Sequence, residues 1–328
     1  VAALIEPDAW VRIGRPLDRL AARAPIAAAA ARRALAAVLA PVAASKWPEV
    51  AWRASALTDD GFPAEFAWSS RDASVRWTAE VAAPETPQAE RLELARKALQ
   101  ALLGAAGPAG LEPLSHGWAQ AQPHDLLRFG AWIGGRHGAS GDRYKIYIER
   151  PQLARDAARQ LSDLEEALSR RVVWRMAGAE TPGTGFEVYG RTEQQTLAGM
   201  RRALQWAGLE CFPQIEAALQ ALCWRPAGER PLGKTSGISV SFDKNGPAAL
   251  TWFAPARAAG RSTAEVASAV RAAAALCGGD TGLLDALLDD PVHPLGKIGM
   301  VGLGAARDGT TWIQASWRPE ELALCEPA

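Results

Sequence analysis

The sequence predicts an α+β fold: a closed antiparallel barrel of ten strands built from five ββα(α) repeats, with helices outside and a polar, ligand-holding lumen. Three observations predict it. Segments of period two occur in five pairs, the period of a strand with one buried face. Ala- and Leu-rich segments of helical period separate the pairs. Each strand segment carries one apolar and one polar edge.

The elements follow in order. A helical stretch over 16–45 lies within an N-terminal segment (1–50) expected to pack on the single domain spanning 1–328. Strands 64–70 and 74–81 precede a helix over 88–103, closed by Gly104. Strands 126–134 and 143–149 precede a helix over 152–169. Strands 171–176 and 185–190 precede helices 193–206 and 213–222. Strands 237–242 and 248–254 precede helices 263–276 and 283–288, and strands 298–305 and 311–317 complete the set. Asn245-Gly246-Pro247 and Asp308-Gly309 supply hairpin turn chemistry where two pairs must reverse. The unit is strand–strand–helix, so the strands run antiparallel.

The alternation also assigns faces. Val75, Trp77, Ala79 and Val81 oppose Ser74, Arg76, Thr78 and Glu80; Tyr144, Ile146 and Ile148 oppose Lys145, Tyr147 and Glu149; Phe186 and Val188 oppose Glu187, Tyr189 and Arg191. Amphipathic helices need an apolar surface to lie on, so they cover the Val/Trp/Ile face and the polar face turns inward. An open sheet with helices on one side would alternate in the same way. Ten strands favour closure, because twisted open sheets of that size curl or split.

Composition narrows the function. The chain has 328 residues, 36 Lys+Arg and 36 Asp+Glu, which argues against a global nucleic-acid or anionic-membrane binder. Cys211, Cys223, Cys277 and Cys325 form no C-x-x-C, and the four histidines fall in no H-E-x-x-H spacing. Neither a zinc site nor a disulfide framework is indicated, and the expected compartment is a reducing cytoplasm. The longest uncharged apolar run near the N-terminus, 34–45, is short of the ~20 residues of a spanning helix. Arg12, Arg15, Arg19 and Arg23 look faintly like a transit peptide, but Glu6, Asp8 and Asp18 speak for a surface helix.

Gly228–Thr235 matches the phosphate-loop pattern G-x-x-x-x-G-K-T. That loop needs a strand before it and a helix N-terminus after it. Here a helix precedes, a strand follows and Pro231 removes an N–H donor, so the match is rejected.

The remaining motifs are Gly61-Phe62-Pro63-Ala64-Glu65-Phe66-Ala67-Trp68-Ser69 with Arg76 eleven residues after Glu65, Lys145-Ile146-Tyr147, Glu187-Val188-Tyr189-Gly190 and Thr251-Trp252-Phe253. In these the chain resembles the aromatic prenyltransferases of the ββαα barrel type, in particular the dimethylallyltryptophan synthase branch. The repeat pattern covers most of the chain; the specific motifs cover the first three hairpins. The resemblance implies transfer of a short isoprenoid, dimethylallyl or geranyl, from its diphosphate to an aromatic acceptor, with an indole or tryptophan leading. It implies Glu65 as the base that takes the acceptor's proton. It implies Arg76, Lys145, Arg191 and Lys297 as diphosphate ligands, with Arg175 as a supplement. Tyr147, Tyr189, Phe253 and Trp312 would shield the cation. No cofactor, nucleic acid or membrane is implied. A peptide side-chain acceptor and a non-catalytic barrel that holds an anion stay open, as does a solvated sheet face with Glu65 paired to Arg76.

The chemistry suits those residues. An allylic diphosphate ionises to a carbocation and a charged leaving group, which fixed Arg and Lys donors would stabilise in a dry site. Aromatic faces stabilise a cation by ~0.5–2 kcal/mol each. Glu187 departs from the pattern, which has a basic residue there. It would repel the diphosphate unless neutralised by Arg175 or Arg191, which leaves three readings: a divalent cation such as Mg2+ enters, the donor differs, or catalysis is lost.

Overall fold

The computed structural model describes residues 5–104, 127–150, 153, 155–181, 183, 185–193, 195–222, 235–260, 262–288 and 296–319. Helices α1 (Ile5–Ala21), α2 (Pro25–Ala43) and α3 (Pro48–Ala51) come first. Then follow β1 (Ala64–Ser69), β2 (Val75–Glu80), α4 (Arg91–Leu103), β3 (Ala131–Gly138), β4 (Gly141–Glu149), α5 (Arg155–Leu168), β5 (Val172–Thr181) and β6 (Phe186–Glu193). Next are α6 (Leu197–Trp206), α7 (Phe212–Ala221), β7 (Thr235–Asp243), β8 (Gly246–Pro255), α8 (Thr263–Leu276), α9 (Gly282–Leu288), β9 (Gly296–Ala306) and β10 (Thr311–Pro319). The expected stretch 16–45 is two helices, because the chain turns at 22–24 and restarts at Pro25, whose fixed φ suits a first helical turn. The rejected phosphate-loop match lies outside the described residues except for Thr235, which opens β7.

Every strand pairs antiparallel with its neighbours in sequence, and β10 returns to β1 through Phe66–Trp317 and Trp68–Ala315. The sheet is therefore a closed ten-stranded barrel, and the open-sheet alternative is excluded. Gly141, Gly246 and Gly309 adopt positive φ at three of the hairpin reversals, a region glycine enters without strain.

The apolar face lies outside, under the helices. Trp68, Trp77, Ile133, Ile146, Val188, Val240, Leu250, Trp252, Leu303 and Ile313 are all buried there. Burying one such side chain stabilises by ~1.5–3 kcal/mol. A β-barrel whose apolar face is sheathed in this way is a water-soluble architecture. Helix α2 is long and apolar enough to cross a membrane by length and composition, which the run at 34–45 understated. In the fold its face of Ala31, Leu35, Val38, Leu39 and Val42 is buried, with α2 seated on β2 and β3.

Strand β3 departs most from expectation. It starts at Ala131 rather than 126 and runs through Gly134, Gly135 and Gly138, a composition that reads as a break. The glycines are there for space. A Cβ on Gly135 would overlap the Trp77 ring, and one on Gly134 would sit 3.0 Å from Tyr147 Cε2.

Two buried polar ties fix the barrel's rim. Glu80 accepts from Arg91 (3.0 Å), Ser55 (2.7 Å) and Trp132 Nε1 (2.9 Å). Arg12 of α1 donates to the Pro319 carbonyl (2.7 Å) at the end of β10 and to Asp60 (2.9 Å) just before β1, and its guanidinium covers the Phe62 ring at 4.0 Å. Helix α1 thus straps both sides of the β1–β10 seam.

Candidate active site

The inward face of the strands encloses a cavity of about 620 Å³, within the ~300–1,000 Å³ range of small-molecule sites. Glu65, Arg76, Lys145, Tyr147, Tyr189, Phe253 and Trp312 all line it. Register explains the grouping: Glu65 stands opposite Thr78, Arg76 opposite Arg136, Lys145 opposite Gly134 and Glu180, and Tyr189 opposite Ser239.

Glu65 projects from β1 and is hydrogen-bonded to Ser316 across the seam. Burial raises its carboxyl from 4.5 to about 7, with Asp59 adding to the shift, while Ser316 and Arg318 oppose it. A carboxyl poised there can accept a proton near neutral pH. It is not paired with Arg76. That guanidinium is held by Asp72 (2.6 Å) and Ser74 (3.0 Å). Burial and the neighbouring Arg136 push Arg76 down to about 10, so it is still a cation at pH 7.

Lys145 and Glu187 form the centre of the lumen. Lys145 Nζ donates to Glu187 and to Tyr189 Oη (2.7 Å), Tyr189 Oη donates to Glu187 (2.6 Å), and Ser239 adds a hydroxyl at 2.5 Å. Burial disfavours the charge on both partners, yet their mutual attraction wins: Lys145 is raised and Glu187 lowered. Burial and Glu187 raise Tyr189 well above 10, so its hydroxyl keeps the proton it donates. The carboxylate is neutralised by Lys145, not by Arg175 or Arg191, and needs no divalent cation to account for it. Lys145 lies over the Tyr147 and Tyr189 rings at 5.4 and 5.2 Å, so these faces already accommodate a cation.

Two sequence-expected ligands lie elsewhere. Arg191 and Lys297 are exposed and do not line the cavity. Arg191 has lumen parity but sits two residues beyond Tyr189 along β6, and Lys297 pairs with Arg318 at the start of β9. Arg175 is exposed beside a bulge in β5.

Two arginines were missed. Arg136 (β3) and Arg143 (β4) line the cavity and stand directly opposite each other, with Arg76 on Arg136's other side. The expected strand 126–134 stopped short of Arg136. Arg143 shares the inward parity of Lys145 and Tyr147, which was the available signal.

Glycines set the side chains' positions. A Cβ on Gly178 would overlap Lys145 Cε, one on Gly302 would lie 3.0 Å from Phe253 Cδ1, and one on Gly304 would overlap the Trp312 ring. Lys145, Tyr147, Phe253 and Trp312 thus each lie across a glycine notch in the neighbouring strand.

No protein-family model matches the chain, and no curated protein matches it significantly by sequence. Solved structures do. The 5-dimethylallyltryptophan synthase from Streptomyces coelicolor aligns with a TM-score of 0.74 at 18% identity, over 95% of this chain and 98% of that one. The 6-dimethylallyltryptophan synthase from Micromonospora olivasterospora, in complex with DMASPP and Trp, gives 0.72 at 19% over 96% and 98%. AnaPT from Neosartorya fischeri gives 0.70 at 13% over 97% and 95%. At these identities the shared property is the fold, and it covers the whole barrel.

Proposed function

We propose that the barrel is an aromatic prenyltransferase that moves a dimethylallyl or geranyl group from its diphosphate to an indole, with tryptophan as the leading acceptor. The observation that carries this reading is the meeting, in one cavity inside the barrel, of a carboxyl poised near 7 (Glu65), largely buried cations (Arg76, Lys145) and tyrosine faces already holding a cation. The Streptomyces and Micromonospora proteins with this fold are dimethylallyltryptophan synthases solved with DMASPP and Trp, which supports the same donor and acceptor here.

The donor's C1–O bond breaks and its electron pair leaves with the diphosphate, whose charge Arg76 and Lys145 stabilise. Tyr147 and Tyr189 face the resulting allylic cation, with Phe253 and Trp312 closing the apolar wall and keeping water away. A ring carbon of the acceptor bonds to C1, and the hydrogen it carried passes as a proton to the Glu65 carboxylate, which restores aromaticity. Cys211 and Cys277 are free thiols, which supports work in a reducing cytoplasm.

The test is calorimetric titration with dimethylallyl, geranyl and farnesyl diphosphate, with and without Mg2+, followed by product analysis with tryptophan. Wild type should bind one of the shorter donors and release prenylated tryptophan; Glu65→Gln should bind the donor and release none. Failure to bind any prenyl diphosphate would remove the reading and leave a binding barrel of another kind.

A further inference from the structure

Beside Glu65, strand β9 carries one residue more than β10. Ala315 pairs with Val301 and Trp317 with Ile298, so Ser316 alone faces both Gly299 and Met300. This is a β-bulge, a device that re-aims groups next to active sites. Here it directs the Met300 N–H to Ser316 Oγ, at 3.1 Å. A backbone N–H only donates, so Ser316 accepts there and keeps its own O–H for another partner. That partner is the Glu65 carboxyl, to which Ser316 is hydrogen-bonded. On its other flank Ser316 pairs with Ala67, which makes Glu65 its diagonal neighbour, within reach of a long side chain. Gly299 keeps the space open: a Cβ there would stand 3.3 Å from Ser316 Oγ and 3.7 Å from Glu65 Oε1. Ser316, Met300 and Glu65 all line the cavity. The charged groups acting on the carboxyl are Asp59 and Arg318, which lie 3.7 Å from one another. Opposite it on β2 stands Thr78, and on β9 Gly299 and Met300 face Ser316, none of them titratable.

We propose that Ser316 is the positioning residue of the proton-accepting step: aimed by the β9 bulge, its hydroxyl anchors one oxygen of Glu65 and leaves the other turned toward the acceptor ring. One hydroxyl proton serves one oxygen, so a single serine fixes the carboxylate's direction without filling both of its acceptor positions. The ring hydrogen passes as a proton to the free oxygen, and the O–H of Ser316 stays on serine throughout. The bond is made to the charged form, and it stabilises the carboxylate against the burial that disfavours it. This inference rests on the prenyl-transfer reading and adds to it how the base is aimed.

The experiment follows Glu65 directly, by carbon-13 NMR of protein labelled at the glutamate carboxyls, with Glu65→Gln identifying the resonance. The pH profile of prenyl transfer from dimethylallyl diphosphate to tryptophan is measured beside it. Wild type is compared with Ser316→Ala, Ser316→Thr and Gly299→Ala, each checked by thermal unfolding. Ser316→Ala should raise the Glu65 midpoint and the kcat/KM midpoint together by about one pH unit, the effect of one hydrogen bond to a charged group. Its kcat should fall about ten-fold, with KM for dimethylallyl diphosphate unchanged. Ser316→Thr keeps the hydroxyl and should restore both midpoints; Gly299→Ala crowds it and should move them upward. A Ser316→Ala variant with the wild-type midpoint and kcat would overturn this assignment and leave the proposed function standing. Wild type that releases no prenylated product would overturn the proposed function, and this role with it, even where the resonance moves.

Discussion

Glu65 offers the sharpest test, because one substitution should move activity and stability in separable ways. The carboxyl ionises at about 7 in the folded protein against 4.5 ordinarily. Below 4.5 it is protonated in both states and contributes nothing. Above 7 it is ionised in both, and the folded state carries the whole penalty of a charge walled into the barrel. The difference is about 2.5 pH units, or about 3 kcal/mol at 1.36 kcal/mol per unit. Water reaching the cavity reduces that to about 2 kcal/mol. A raised carboxyl thus withdraws stability as pH climbs from 4.5 to 7. Glu65→Gln should match wild type at pH 4.5 and exceed it by about 2 kcal/mol at pH 8, read by urea unfolding at both pH values. In prenyl transfer to tryptophan, wild-type kcat/KM should rise with pH through about 7. The variant should fall by ~10²–10⁴-fold, the usual contribution of a general base, while binding the donor as before. Parallel stability profiles for the two proteins would show that the carboxyl is not desolvated, and the argument for its role as a base would collapse with that.

Three other outcomes follow from the packing. Lys145→Ala strands Glu187 among Tyr189 and Ser239 and should lower unfolding free energy by ~2–3 kcal/mol, most of it regained in Lys145→Ala/Glu187→Gln; equal stability of single and double variants would contradict the pairing. Gly178→Ala places a methyl on Lys145 Cε and should weaken dimethylallyl diphosphate binding about ten-fold by calorimetry with the far-ultraviolet circular dichroism unchanged. Arg91→Ala leaves the buried Glu80 without its cation and should destabilise by ~3–5 kcal/mol, seen as a lower urea midpoint; a shift under 1 kcal/mol would mean that Ser55 and Trp132 suffice.

Much of this was legible in the sequence. The five hairpins and the inward parity of Arg76, Lys145, Tyr147, Glu187 and Tyr189 follow from alternation, and closure from the count of ten strands. Alternation assigns a face but not a height along the barrel axis. Height depends on the stagger between strands, a property of the closed sheet and not of any segment. Arg191 has the right face and the wrong height; Lys297 shows that position within a repeat is no better guide. Arg136 was lost for another reason. Gly134, Gly135 and Gly138 resemble a break until Trp77 and Tyr147, distant in sequence, are seen to fill the space they leave. Glu187 looked like a defect in the motif because its partner, Lys145, sits 42 residues away on another hairpin.

The seam between β1 and β10 has a consequence for how the protein reaches its working state. Each of the other pairings joins neighbours in sequence, whereas this one closes a loop of about 250 residues. Chain entropy scaling as (3/2)RT ln n makes that closure about 3 kcal/mol dearer than a ten-residue hairpin. The chamber therefore comes into being with the slowest contact of the fold, and the Glu65–Ser316 hydrogen bond is part of that contact. Arg12, reaching both margins of the join, offsets some of the entropy. Loosening α1 should leave nine pairings intact while the two walls of the chamber drift apart, so loss of activity would precede loss of β-structure on gentle denaturation.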